Sequence, residues 1–538
     1  MYSKVRRSVF MGFVGAFLFV FSPFVMSVSA DDEPEKLPEP NELDGSDSPS
    51  LAGDPGNGHD ETPGEWIEGD TPSNLKDDAP ILLFVPGLNN VAQVFYEDND
   101  MYETAFDAGY QTAFIQLHDA GGESADMWDN GELLAEKIDE ISDHFDGKPI
   151  TIVAYSKGGV DTQTALAHYG AWDKVDNVIT LSSPHHGSQL ADLAYSSWAG
   201  WLADLLGSQG DGTYSMQTGE MEEFRSETEE KEHANTNDYY TLGGTGWSSG
   251  SASIKTGGLY LSQYGSNDGV VTAESSILPG GVEIEVGDWN HTTIRTGDTF
   301  PVFEDYLTTD ESSNQAYDVD DVVMNEPSAD QLVRGGPLAE DDDNTVTIPV
   351  EEDVDDISLN LMTADVPKQI SLVDPSGKSE NVDMETVQSE EGYFPGAYHT
   401  VINKKAPEAG EWEIELSTEK DSAYLVTVDY ETRQKVKLHQ KEGNDTLDWK
   451  DSKHLDYQLE MDSNQVEASS LEAVYRITDT QNPEETKTLF TDGKNDLSQS
   501  LSFDDTDTVY NLTIDVSGET TSGHPFQRTI IDSVYVGE

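Results

Sequence analysis

From about residue 79, short apolar runs alternate with stretches of helical periodicity. Ile81-Leu82-Leu83-Phe84-Val85 reads as a buried strand stopped by Pro86-Gly87, and a helix follows over Met101 to Ala108. The pattern then predicts a strand at Thr112 to Leu117, an amphipathic helix at Asn130 to Phe145 and the strand Ile150-Thr151-Ile152-Val153-Ala154. A helix from Gly158 to Tyr169 and a strand at Val178 to Leu181 continue the alternation. Apolar strands separated by helices imply a mostly parallel sheet covered on both faces. Residues 79–312 are therefore read as one α/β domain.

After residue 313 the apolar positions alternate with period two, as in Thr345 to Val350, Trp412 to Leu416 and Tyr424 to Val428. A second set runs through Val474 to Ile477 and Tyr510 to Ile514, with turn signals such as Asp374-Pro375-Ser376-Gly377 between strands. This texture predicts two all-β sandwich domains, 341–435 and 450–538, after a linker at 313–340.

The N-terminus has a different character. Lys4, Arg6 and Arg7 precede an apolar run from Val9 to Phe21, and Val28-Ser29-Ala30 supplies small residues before an acidic stretch. This is the pattern of a secretory signal peptide spanning residues 1–30, which implies a secreted protein with no stable membrane insertion after cleavage. Residues 31–78, rich in acid and proline, read as a disordered, self-repelling linker; Trp66 and Ile67 are expected to pack on the next domain.

Composition narrows the chemistry. Lys and Arg total 29 against 105 Asp and Glu, a formal charge of −76. A nucleic-acid partner is excluded on that ground, because phosphate contacts need a basic face. So acidic a surface suggests adaptation to high salt, where screening weakens self-repulsion. With no cysteine there is no disulfide, thiolate nucleophile or Cys–zinc site.

Three places carry candidate catalytic residues. Ala154-Tyr155-Ser156-Lys157-Gly158-Gly159 follows a buried strand and opens a helix, the setting in which a serine hydroxyl is exposed and aimed. Asp268 lies in Asn267-Asp268-Gly269-Val270-Val271, expected at a turn after a strand over Gly258 to Ser262. His291 lies in Asn290-His291 after a strand at Val282 to Val286. A base must take the serine proton and a buried carboxylate must fix the imidazole tautomer, so Ser156, Asp268 and His291 are the expected catalytic set. Asp161 and Asp288 compete as acids, and His185 and His186 as bases that could line the site. The literal G-x-S-x-G at Gly246 to Gly250 is read as a loop with no strand before it and no helix after it. The expected oxyanion donors are the amides of Leu88 and Lys157.

These pieces, with Ser183-Pro184-His185-His186-Gly187-Ser188, resemble a secreted bacterial lipase or esterase of the α/β-hydrolase superfamily. The Ala-x-Ser-x-Gly segment is similar to that of Bacillus-type lipases. Pro86 stands where such enzymes commonly carry His, and Lys157 where they carry Met or Gln. The resemblance implies hydrolysis of an ester or lipid substrate. A polyester depolymerase of the polyhydroxyalkanoate type, or a surface adhesion protein with a vestigial hydrolase domain, are the alternatives. In either, the C-terminal domains would bind polymer or cell surface.

The apolar stretch Leu190 to Leu206 is expected to form a lid or acyl-binding wall through Trp198, Trp201 and Leu202, with Trp247 and Trp289 adding apolar lining. No cofactor is required by this chemistry. Acidic clusters at Asp341-Asp342-Asp343 and Glu351-Glu352-Asp353 are candidates for a structural calcium, although no EF-hand spacing occurs.

Overall fold

The computed structural model describes residues 61–308 and 328–537, apart from 77, 341–343, 383–386, 390–391, 442–453, 462–464, 484–485, 493–496 and 504. The expected signal peptide, most of the first linker and residues 313–327 lie outside the described residues.

The seven strands of the first sheet are β1 (Trp66–Glu68), β2 (Ile81–Val85), β3 (Thr112–Ile115), β4 (Ile150–Tyr155), β5 (Val175–Leu181), β6 (Asp238–Gly244) and β7 (Val282–Gly287). They lie in the order β1-β3-β2-β4-β5-β6-β7. All pairs are parallel except β1 with β3. Every residue of β2, β3 and β4 is buried, as their predominantly apolar sequences require of strands covered on both faces. The helices are α1 (Met101–Asp107), α2 (Met127–His144), α3 (Lys157–Ala167), α4 (Gln189–Ala194), α5 (Gly200–Leu206), α6 (Asp211–Ser215), α7 (Thr218–Glu229), α8 (Ala252–Leu261) and α9 (Phe300–Phe303). The Asp126 carboxylate caps α2 by accepting from the Asp129 amide, and Leu134, Ile138 and Ile141 form the buried stripe.

The C-terminal part is all antiparallel. A four-stranded and a five-stranded sheet enclose one core that includes Ile348, Leu359, Trp412 and Val426. Two further four-stranded sheets enclose another around Tyr457, Tyr475, Leu512 and Phe526. The α/β fold with all-β sheets after it agrees with the sequence reading.

Several boundaries differ. Trp66 and Ile67 do more than pack on the next domain: they pair with Ile115 and Phe114, so the sheet begins inside the expected linker. The expected 313–340 linker contains the strands Ser328–Ala329 and Gln331–Leu338. The second pairs along Ser422 to Asp429 in the first sandwich. The strand Val436–Lys441 belongs to the second sandwich, ahead of its expected start. Each of these strands gains its stability from partners distant in sequence, and its own pattern is too short or too polar to announce it.

The expected strand at Gly258 to Ser262 is the end of helix α8. Gly257 and Gly258 hide the helix in the sequence. A Cβ at Gly257 would fall 2.2 Å from the Gly269 carbonyl oxygen, and one at Gly258 2.3 Å from the Trp247 side chain. Close packing demands glycine here and outweighs its poor helix propensity.

Candidate active site

Strand β4 ends at Tyr155 and α3 begins at Lys157, so Ser156 alone makes the turn, at φ 53° and ψ −133°. That left-handed backbone is strained for a residue with a side chain, and the turn is held because the Ser156 amide donates to the Leu181 carbonyl at 2.9 Å. The turn fits only because its neighbours are small. A Cβ on Gly158 would lie 2.3 Å from the Pro86 carbonyl oxygen, and one on Gly87 2.6 Å from the Ser156 Cβ. The loop after β2 is thereby drawn against the serine.

His291 follows β7, and its Nε2 lies 3.0 Å from Ser156 Oγ. Its Nδ1 lies 2.6 Å from Asp268 Oδ2. With Nδ1–H donating to the carboxylate, the Nε2 lone pair accepts from the serine hydroxyl. The other Asp268 oxygen accepts from the amides of Val270 at 2.9 Å and Val271 at 2.8 Å. A further bond from the His291 amide to the Asp268 carbonyl, 3.0 Å, ties the two loops together. Asp268 is fully buried and His291 nearly so. Asp268 belongs to the loop after α8 and sits against the end of β6, where a Cβ on Gly244 would fall 2.8 Å from its own Cβ. The three residues from widely spaced segments thus meet at one edge of the sheet. The arrangement can pass a proton from a hydroxyl to an imidazole that a carboxylate holds in place.

The narrow cleft at Ser156 is lined by Leu88, Asn90, Tyr155, Ser156, Lys157, Val270, His291, Gly392 and Tyr393. Both residues expected to supply oxyanion donors, Leu88 and Lys157, border it. Gly392 and Tyr393 come from the first β-sandwich, and nothing in the local sequence pointed to them.

The remaining candidates lie elsewhere. Asp161 pairs with the Lys157 ammonium at 2.7 Å. Burial raises its carboxyl above the usual range and the neighbouring Asp119 charge adds to that, while Lys157 pulls it back. His185 is fully buried, 3.4 Å from Thr180 Oγ1, and desolvation holds it well below the usual imidazole range. Neither it nor His186 lines the cleft. The Gly246 to Gly250 segment does follow strand β6 and precede helix α8, contrary to the expectation, yet Ser248 lies exposed on a 3₁₀ turn.

The expected acyl wall is an inter-domain seam instead. Leu190 to Leu206 forms two helices, α4 and α5, and α5 packs on the sandwich strands Gln331–Leu338 and Ser422–Glu431. Trp198 is 2% exposed; its indole Nε1–H donates to the Asp515 carboxylate at 3.0 Å. The Arg334 and Arg476 guanidinium groups lie 4.7 and 5.2 Å from its ring centroid. Trp201 and Leu202 join the same buried cluster as Leu425 and Ile531. None of the three lines the cleft, because a large apolar surface was available on the sandwich to cover them. Trp247 and Trp289 are absent from the lining too; Trp289 packs over Gly287.

The Glu351-Glu352-Asp353 cluster is engaged within the protein. Glu351 forms a buried ion pair with Arg528, Glu352 accepts from Thr520 Oγ1 at 2.7 Å and Asp353 from Gln465 at 3.2 Å. Asp341 to Asp343 lie outside the described residues. Among the described residues, no group of three or more His, Asp or Glu is arranged to hold a metal ion. No helix among them is long and apolar enough to cross a membrane.

Residues 80–253 match the family model described as alpha/beta hydrolase fold. No curated protein sequence matches the chain. Among solved structures, Bacillus licheniformis lipase BlEst2 in propeptide form is 34% identical, with a TM-score of 0.74 over 89% of this chain and 98% of that one. The same lipase in mature form is 45% identical, with a TM-score of 0.43 over 46% of this chain and 100% of that one. With a sheet, a strand-to-helix serine turn and a near full-length relative in agreement, this chain belongs to the α/β-hydrolase family and is structurally close to a bacterial lipase.

Proposed function

We propose that the chain is a secreted serine carboxyl-ester hydrolase, a lipase or esterase, that works through Ser156, His291 and Asp268. The observation that carries this reading is the continuous contact from Ser156 Oγ to His291 Nε2 at 3.0 Å and from His291 Nδ1 to Asp268 at 2.6 Å. Ser156 Oγ attacks the ester carbonyl carbon while its proton moves to His291 Nε2, and the carbonyl oxygen becomes an oxyanion facing the Leu88 and Lys157 amides. Collapse of that intermediate expels the alcohol, which takes the proton from His291 and leaves an acyl-serine. Water then attacks, giving its proton to His291, and release of the acid restores the serine hydroxyl. Asp268 holds the imidazole tautomer and stabilises the imidazolium throughout.

The form described here is further proposed to be a precursor with a covered site. Gly392 and Tyr393 of the sandwich lie on the cleft, and the similar lipase was solved in a propeptide form. Displacement of the C-terminal β region would uncover Ser156. An N-terminal signal peptide would deliver this precursor outside the cell.

The test is turnover of a p-nitrophenyl ester by the full chain before and after limited proteolysis, with Ser156→Ala alongside. Hydrolysis that Ser156→Ala abolishes supports the reading. Undiminished hydrolysis by Ser156→Ala, or none before and after proteolysis, ends it.

A further inference from the structure

Beside the cleft lies a polar network that the reaction outlined above does not use. Lys157 offers its amide to the cleft, but its side chain turns into the interior and is 1% exposed. Its ammonium donates to Asp161 Oδ1 at 2.7 Å. The other Asp161 oxygen accepts from Asn130 Nδ2 at 3.2 Å, and that same Nδ2 donates to Asp119 Oδ2 at 2.6 Å. Asn130 Oδ1 accepts from the His118 amide at 3.1 Å, which fixes the orientation of the side-chain amide. The remaining Asp119 oxygen accepts from the Asn89 amide at 2.9 Å. The chain of contacts therefore runs from the first residue of α3, through α2 and the loop after β3, to the loop after β2.

Its end point is informative. The Asn89 N–H and the Leu88 carbonyl belong to one peptide unit. Asp119 holds the N–H end, and Asn90 Nδ2 donates to the carbonyl end at 2.7 Å. Asn89 itself sits at φ 53°, a conformation that its surroundings must enforce. A peptide pinned at both ends leaves little freedom to the preceding Leu88 amide.

Stability alone does not call for this arrangement. A buried lysine–carboxylate pair contributes little net stability after desolvation, and apolar side chains of similar volume often do as well. Here two carboxylates, Asp119 and Asp161, share one ammonium in a nearly dry setting, which raises the cost. What the polar version adds is a directional link between the two segments that flank the cleft.

We propose that Asp119 and Asn130 are positioning residues that couple the Leu88–Asn89 peptide to the Lys157–Asp161 pair, so that the Leu88 and Lys157 amides converge on the ester oxyanion. The inference rests on the ester-hydrolase reading. It assigns a purpose to Lys157 and Asp161, whose side chains touch no substrate.

Full-length wild type, Ser156→Ala, Asp119→Ala and Asp119→Asn are compared on p-nitrophenyl acetate, a small ester, before and after limited proteolysis. Melting temperature is measured in parallel. Wild-type turnover abolished in Ser156→Ala, by the full chain or after limited proteolysis, tests the underlying reading separately; without turnover in either state, reading and inference fall together. Given that turnover, Asp119→Ala is expected to lower kcat about 10- to 100-fold with KM within about twofold, the signature of a displaced donor. Asp119→Asn keeps an acceptor for the Asn89 amide but sets its own NH2 against Asn130 Nδ2, so its kcat is expected to fall between wild type and Asp119→Ala. Wild-type kcat in Asp119→Ala, or a loss confined to KM, overturns the proposal. Equal kcat losses in both variants overturn it as well. If Asp119→Ala does not fold, Asn130→Ser replaces it: Ser is too short to bridge both carboxylates, and the same kcat loss is expected, with wild-type kcat again overturning the proposal.

Discussion

Tyr393, a loop residue of the first β-sandwich, lines the same cleft as Ser156. Tyr393 is itself buried within the cluster that joins the catalytic domain to the sandwiches, alongside Leu190, Ile254 and Val270. A segment far away in the sequence therefore borders the cleft at the serine. Replacing Tyr393 with Ala removes a large side chain from the rim. Turnover of p-nitrophenyl butyrate by the full-length chain is expected to rise several-fold. Unchanged turnover would show that Tyr393 is not the barrier.

The Asp268 carboxylate is fully buried and accepts from two amides as well as from His291. Its loss frees the imidazole to take the wrong tautomer and leaves the imidazolium without its counter-charge. Asp268→Asn is expected to lower kcat by roughly 10⁴-fold with little change in fold, as seen by circular dichroism. A loss below about tenfold would mean another carboxylate orients His291.

The seam between the catalytic domain and the last strand (Pro525–Val536) is crowded with carboxyl groups. Asp192 on α4 faces Asp532, and α7 brings Glu220 up against Glu223, Glu227, Asp126 and Asp507. Burial pushes Asp192 and Glu220 up to about 7 and Asp532 up to about 6. These groups bind protons in the folded form and release them near pH 4 when unfolded. The unfolded state thus holds fewer protons between about pH 4 and 7, so stability falls as pH rises through that window and levels off above it. Melting temperature is expected to be several degrees lower at about pH 8 than at about pH 5, and Asp192→Asn should flatten the difference. A melting temperature that climbs over this range would contradict the assignment.

Asp515 is the hub of the seam at Trp198. It accepts from Trp198 Nε1, from Thr529 Oγ1 at 2.7 Å and from Arg334 at 3.0 Å, and it pairs with Arg476. Asp515→Ala leaves two buried guanidinium groups without their carboxylate, at a cost of about 3–5 kcal/mol in urea unfolding. Trp201→Ala, in the same apolar cluster, is expected to reduce activity on acetate and long-chain esters alike. A selective loss on long chains would restore the acyl-wall reading of Leu190 to Leu206.

The parallel sheet and the serine turn are legible in the order of residues alone, because both are local. An all-apolar pentad stopped by Pro-Gly, such as Ile81 to Val85, is too short for a buried helix and reads as a strand buried on both faces, and Ala154 to Gly159 carries its strand end, its turn and its helix start within six residues. Asp268 and His291 were legible from chain order and turn chemistry, although the helix before Asp268 was hidden by Gly257 and Gly258. The burial of Trp198 at the seam, the presence of Tyr393 at the cleft and the bond from the Asn89 amide to Asp119 emerge only in the folded chain. Each depends on which distant surface a side chain meets. An apolar helix reads the same in sequence whether it faces substrate or a neighbouring sandwich, since burial rewards both equally. Which surface covers it is settled only when the chain has folded.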